Sequence, residues 1–355
     1  MFAKRLATVA LLFAVPLATC EGGELEDVLE SVAGGEALFE TFAARVRQTY
    51  EGKALGTGRR VSTVTEYEFL LDGDRLRLTY ADGKADGLDA AAQSYRRDGR
   101  DSTHLLDGSG GRDLLLVCDR PRVPPAQVRP HMLPLPKQIG NVRLSEWLQG
   151  GTDRGTDEEP FMDAVAEAVP RGRRTVGGLE CEVVDALKTN AAGDVVARYE
   201  LALAVDRHHL PVRSRCFITK WGESHPVDET VVEEFAEAAP GVFAPSRLRT
   251  RKWREWTLGD PEPELVFTRE TVLTDADIAP PIPPDTFAML EPPEGAVVRT
   301  YRGSDLVEER FNDTEGGRPV RAVPGRPGRP TPVWVYAAAG LAAVAAVWLL
   351  FVKRR

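Results

Sequence analysis

From Val61 onward the chain alternates apolar and polar residues, and this period of two restricts it to a largely β architecture. Tyr67, Phe69 and Leu71 alternate with Glu66 and Glu68. Asp72-Gly73 follows, and Leu76, Leu78 and Tyr80 then alternate with Arg75, Arg77 and Thr79. Successive strand side chains point to opposite faces, and an Asp-Gly pair between two such runs supplies the backbone angles of a tight hairpin turn. Asp98-Gly99 and Asp107-Gly108 repeat the punctuation, bounding strands near 94–97, 102–106 and 112–118. A second group of strands is expected near 179–187, 195–205, 212–218, 229–236, 246–253 and 264–273. An antiparallel sheet with one wet face follows from this spacing.

Helical periodicity interrupts the pattern in three places. Leu38, Phe39, Phe42, Ala43, Val46 and Tyr50 recur at three- and four-residue steps, so an amphipathic helix is expected over 38–50, ended by Gly52 and preceded by a flexible acidic lead-in at 21–35. A short helix is expected at 144–148. Another should start at Asp157, whose side chain can cap it, and run through Phe161, Val165 and Val169 to Pro170. Residues 121–136 are too rich in proline for central strands and are expected to form a long excursion or lid. Helices set between two groups of antiparallel strands give an α+β fold. Residues 276–315 form a C-terminal extension in which 285–301 can add a closing strand.

The two ends predict an exported, tethered chain. Residues 1–20 have a basic start, an apolar stretch too short to span a bilayer and small residues before Cys20, the pattern of a signal peptide. Leu17-Ala18-Thr19-Cys20 resembles a lipobox, but Thr19 is larger than the residue usual there, so Cys20 is not expected to carry lipid. Residues 333–352 are uncharged and flanked by Trp334, Tyr336 and Trp348, and Lys353, Arg354 and Arg355 follow as a cytoplasmic tail. Twenty such residues make about 30 Å of helix, the thickness of a hydrocarbon core. The chain is therefore expected to cross the inner membrane once, with its bulk on the periplasmic side. The spacer at 316–332, with five prolines and four arginines, would hold the folded part off the surface.

The chemistry that is missing narrows the function. The net charge of −9 comes without a long basic stripe, which argues against nucleic acid as a partner. None of His104, His131, His208, His209 and His225 falls in a metal-binding spacing, and no Cys-x-x-Cys pair occurs, so no metal or other cofactor is expected. His208-His209 is expected to be an exposed turn. A Cys181–Cys216 bridge would have to cross two strand spacings, roughly 9.5 Å, so each of Cys118, Cys181 and Cys216 is expected as a small buried hydrophobe. Glu66 and Glu68 share a strand face opposite the apolar one and are expected to be solvated. No catalytic motif appears, and no enzyme activity is expected.

The order of elements resembles a known family. The residues that carry the likeness are Tyr67, Phe69 and Leu71, then Asp72-Gly73-Asp74-Arg75-Leu76-Arg77-Leu78, Gly178-Leu179-Glu180-Cys181-Glu182-Val183, Leu203-Ala204-Val205-Asp206 and Leu210-Pro211-Val212-Arg213. Across 36–275 the chain looks like a larger, membrane-tethered relative of the LolA/LolB/RseB-like lipoprotein-carrier superfamily. That resemblance implies an incomplete antiparallel barrel, a curved sheet wrapped around helices, enclosing an apolar cavity for acyl chains. Phe42, Val46, Phe69, Leu76, Leu78, Leu201 and Leu203 are the candidate cavity residues; they either line such a space or interlock as a packed core. The resulting expectation is a module that binds lipid or lipoprotein acyl chains. The alternatives are an envelope-stress sensor working through an envelope protein partner, and a ligand-free scaffold.

Overall fold

The computed structural model describes residues 23–53, 59–80, 91–98, 101–108, 112–118, 128–135, 142–151, 165–190, 192–222, 224–254, 263–302 and 305–312. They form two compact units. The first holds helices α1 (Gly23–Ala37) and α2 (Leu144–Leu148) with strands β1 (Thr41–Lys53) and β2 (Arg60–Asp72). Its remaining strands are β7 (Glu167–Val176), β8 (Leu179–Thr189), β9 (Val195–Ala204), β10 (Leu210–Ile218), β11 (Asp228–Ala239), β12 (Val242–Trp253) and β13 (Leu265–Asp277). They lie in the order β2-β1-β13-β12-β11-β10-β9-β8-β7, antiparallel throughout, and β7 pairs with β8 alone, so the sheet does not close into a barrel. The second unit holds β3 (Arg75–Tyr80), β4 (Ala91–Asp98), β5 (Asp101–Gly108), β6 (Arg112–Cys118), β14 (Val297–Arg302) and β15 (Asp305–Phe311). Here β3 to β6 form the expected antiparallel meander, while β14 joins β6 in parallel and β15 antiparallel.

The strands predicted from alternation are all present, and two helical expectations are overturned. Residues 41–53 are strand β1, not part of a helix. Phe42, Ala44 and Val46 are buried, while Arg45 and Arg47 are exposed and ion-paired across the strand to Glu68 and Glu66. On a helix Arg45 and Arg47 would face different ways; on a strand they line one face. The apolar residues fit both periods, and hydrogen bonding to β2 on one side and β13 on the other selects the strand. The expected lead-in is instead helix α1, with Val28 and Val32 buried and Leu25 and Leu29 packed beside them. Its acids and glycines hid a narrow apolar stripe. Gly35 is required there, because a Cβ would collide with the His208 carbonyl.

The second correction concerns Val169 and Pro170, which lie in β7 and do not end a helix. Pro170 has no N–H for a ladder, and an edge strand tolerates that loss; the register shifts between Pro170 and Arg173. Asp157 and Phe161 lie outside the described residues. So do residues 1–22 and 313–355, and with them the expectations for the signal peptide, Cys20, the spacer and the membrane span. Among the described residues no helix is long and apolar enough to cross a membrane.

One face of the first unit's sheet is covered by α1, α2 and residues 128–135. Val32, Met132, Leu135, Leu144, Leu201 and Leu203 are fully enclosed in this layer, and the Trp147 and Tyr199 rings meet edge to face at 5.4 Å. The described part of the expected lid is thus core, tied down further by the Ser214 hydroxyl, which donates to the Pro134 carbonyl. α1 and the turn after it are clamped to the start of α2 by two carboxylates. Glu36 accepts the Leu144 and Ser145 N–H groups and the Ser145 hydroxyl, and Glu40 takes both bonds of Arg143 at 2.7 and 2.9 Å.

Candidate functional site

The covered face of the first unit can be followed row by row, because antiparallel register places directly opposite side chains on one side. At one end of the strands Phe42 pairs with Leu71, and Val46 lies between Tyr67 and Leu273. The Phe42 and Phe69 rings are 5.6 Å apart, and Phe39 stands edge-on to Phe42 at 5.5 Å. Leu201 and Leu203 lie farther along the sheet, beneath α1 and α2. Leu76 and Leu78 belong to β3 in the second unit. All seven predicted residues are buried, and Phe42, Leu76, Leu78, Leu201 and Leu203 are 0% exposed.

Between these apolar regions lies a polar block that the sequence reading missed. One row runs Thr63, Tyr50, Arg269, Thr250, Thr230, Ser214, Leu201. A neighbouring row runs Thr65, Gln48, Thr271, Leu248, Val232. Gln48, Thr65, Ser214, Thr230, Thr250 and Thr271 are all buried. Thr230 and Thr250 share a hydrogen bond of 3.0 Å, Arg269 Nη2 reaches Thr250 Oγ1 at 3.5 Å, and Gln48 Nε2 donates to the Tyr67 hydroxyl at 3.4 Å. A signal for this block was available: hydroxyl residues occupy positions in β2, β11, β12 and β13 where strict alternation would place apolar ones.

The row nearest the strand ends mixes both characters. It runs Tyr199, Cys216, Asp228, Lys252, Phe267, Gly52, Val61. At its Gly52 end opens a cleft of about 480 Å³, lined by Gly52, Val61, Leu265, Val266 and Phe267 together with the polar Glu51, Lys53, Arg60, Ser62 and Thr268. Tyr50 and Phe267 pack at 5.0 Å, and a Cβ on Gly52 would fall 2.7 Å from the Phe267 Cβ, so glycine keeps these rings together. At the other end burial pushes the Cys216 thiol up to about 12 and raises Tyr199, which makes neither an acid nor a nucleophile near neutral pH. Burial also raises the Asp228 carboxyl, with Lys252 and Arg269 pulling it back.

The opposite face is an ionic surface. Glu66 and Glu68 are solvated there, as expected, and Glu200 is held low by Arg215, Arg213 and Arg198 against the desolvation that would raise it. Asp185 pairs with Arg171 at 2.8 Å and with Arg198 at 3.3 Å. Cys118, Cys181 and Cys216 are buried, and among the described residues none is in a disulfide. His208 and His209 form a turn with φ of 55° and 54°, but His209 is only 13% exposed and pairs with Glu182 at 3.2 Å, so the expected exposed turn is half right. Among the described residues no group of His, Cys, Asp or Glu could hold a metal ion.

No family model and no curated protein matches the chain. Solved structures do. One is a DUF1329 family protein from Desulfovibrio piger, at 9% identity and a TM-score of 0.42 over 74% of this chain and 96% of that one. A LolA superfamily protein from Nitrosomonas europaea matches at 11% identity and a TM-score of 0.39, over 74% and 96%. The LolA superfamily is the group that the sequence motifs resemble. A putative outer membrane lipoprotein-sorting protein domain from Vibrio parahaemolyticus matches at 10% and 0.39, over 74% and 97%.

Proposed function

We propose that this chain is a membrane-tethered extracytoplasmic module that binds lipid or lipoprotein acyl chains. The observation that carries the reading is the rim cleft, whose volume of about 480 Å³ falls in the range of small-ligand sites and whose lining sets Val61, Leu265, Val266 and Phe267 among the polar Glu51, Lys53, Arg60, Ser62 and Thr268. Phe42, Val46 and Phe69 towards the other end of the strands, and Leu201 and Leu203 farther across the sheet, form the apolar layer beyond the polar block that a chain would reach if α1 or residues 128–135 gave way. Export and tethering rest on the sequence patterns at 1–20 and 333–352.

Native mass spectrometry of the full chain, released from detergent in the gas phase, tests the reading. The expected result is a bound acyl lipid, lost when Val61→Arg puts a charge in the cleft. A bare protein with no adduct, together with no photolabelling of β1, β2 or β13 by a diazirine fatty acid, would refute it. The second reading is a filled scaffold, favoured by the zero exposure of Phe42, Leu201 and Leu203.

A further inference from the structure

We propose that the rim row of the covered face is a head-group site for a carboxylate, and that Lys252 and Arg269 hold it while the acyl tail lies in the cleft beside Phe267. This rests on the acyl-binding reading and adds the chemistry of the ligand's polar end. Lys252 lies directly across from Asp228 on β11 and from Phe267 on β13, so it links the polar part of the row to the cleft. Both Lys252 and Asp228 are part-buried and attract each other across the strands, but among the described residues neither side chain is in a hydrogen bond or an ion pair within 4.0 Å. Arg269 sits one pair along, opposite Thr250, which places the guanidinium and the ammonium on a diagonal that two long side chains span. Apart from Asp228 the row offers this ammonium only sulfur, rings, glycine and valine, so Asp228 is the anion that a ligand carboxylate would displace.

The surroundings suit one negative charge and no more. Asp228 is the only carboxyl in the row and competes for the same two cations. Burial raises its carboxyl while Lys252 and Arg269 pull it back down. The hydroxyls of Thr230 and Thr250 lie in the next row for further hydrogen bonds. Beyond Phe267 the cleft offers Gly52, Val61, Leu265 and Val266 as apolar contacts, with Glu51, Lys53, Arg60, Ser62 and Thr268 around them, and this is the direction in which a tail would run.

The test uses the full chain in phosphatidylcholine vesicles with three photoreactive probes of equal chain length: a fatty acid, its alcohol and its alkyl phosphate. The acid is expected to label β11 to β13 at a lower half-saturating fraction than the alcohol. Lys252→Gln should raise that fraction about tenfold for the acid and leave the alcohol unchanged. Asp228→Asn should lower it severalfold, because a competing negative charge is gone. Opposite signs at two adjacent positions are not what a packing defect gives. Equal labelling by acid and alcohol, or no change in Lys252→Gln, would overturn the head-group site while leaving acyl binding intact. Preference for the phosphate would overturn the carboxylate assignment. Labelling by none of the probes would overturn acyl binding itself and the inference with it.

Discussion

His131 shows how much one side chain can add to a packed layer. Its ring is 1% exposed, meets Phe39 at 5.7 Å and donates from Nε2 to the His208 carbonyl at 2.9 Å. Burial pushes its pKa down to about 4, so the folded state keeps it neutral where an unfolded chain, titrating near 6.5, takes up a proton. The stability it contributes is therefore complete above about pH 6.5 and is lost as pH falls towards 4, by about 3 kcal/mol in all. Urea unfolding at pH 7 and pH 4.5 should show a larger loss for the parent than for His131→Gln, which keeps a donor but cannot titrate. Enclosed apolar positions give a second expectation at this scale. Val46→Phe and Leu203→Trp should each lower stability by roughly 1–3 kcal/mol, read by thermal unfolding, because no water-sized space adjoins Leu203 and little adjoins Val46. That Phe42, Val46, Leu201 and Leu203 face inward was legible from the sequence. That Ser214, Thr230, Thr250 and Thr271 face the same way showed only as hydroxyls at positions where alternation places apolar residues, a weak signal because such a residue is as common on a wet face as under a lid.

At the level of elements, strands were easier to read than helices, for a physical reason. Alternation between Tyr67 and Leu78 is reinforced by a turn that only certain residues make, with Gly73 at φ 57°. In 38–50 no such punctuation arbitrates, and Phe42, Val46 and Tyr50 satisfy a helix stripe and a strand face alike. Pairing with β13, more than two hundred residues away, makes the choice, and a local pattern carries no trace of it. α1 was hidden for the opposite reason: its stability comes from docking, not from its own composition. Its dependence on the Glu36 clamp is testable. Glu36→Ala leaves two buried N–H groups of α2 without an acceptor and should cost about 1–3 kcal/mol. Hydrogen exchange should rise first at Leu144 and Ser145, while β8 and β9 stay protected.

For the whole molecule, the expectation concerns orientation. A reporter active only in the cytoplasm, fused after Arg355, should be active, and one that requires export should be silent at that position; the reverse pattern would contradict the proposed tether. The end of the first unit's sheet bears on how copies of this molecule, held to a surface as proposed, crowd together. β7 offers a neighbouring copy Pro170, which cannot donate, a shifted register, and Arg171, Arg173 and Arg174 in quick succession. Two such strands brought side by side would set like charges against each other and leave the ladder between them broken. At this edge, chains packed at high density in one plane meet a strand that resists pairing with its own copy.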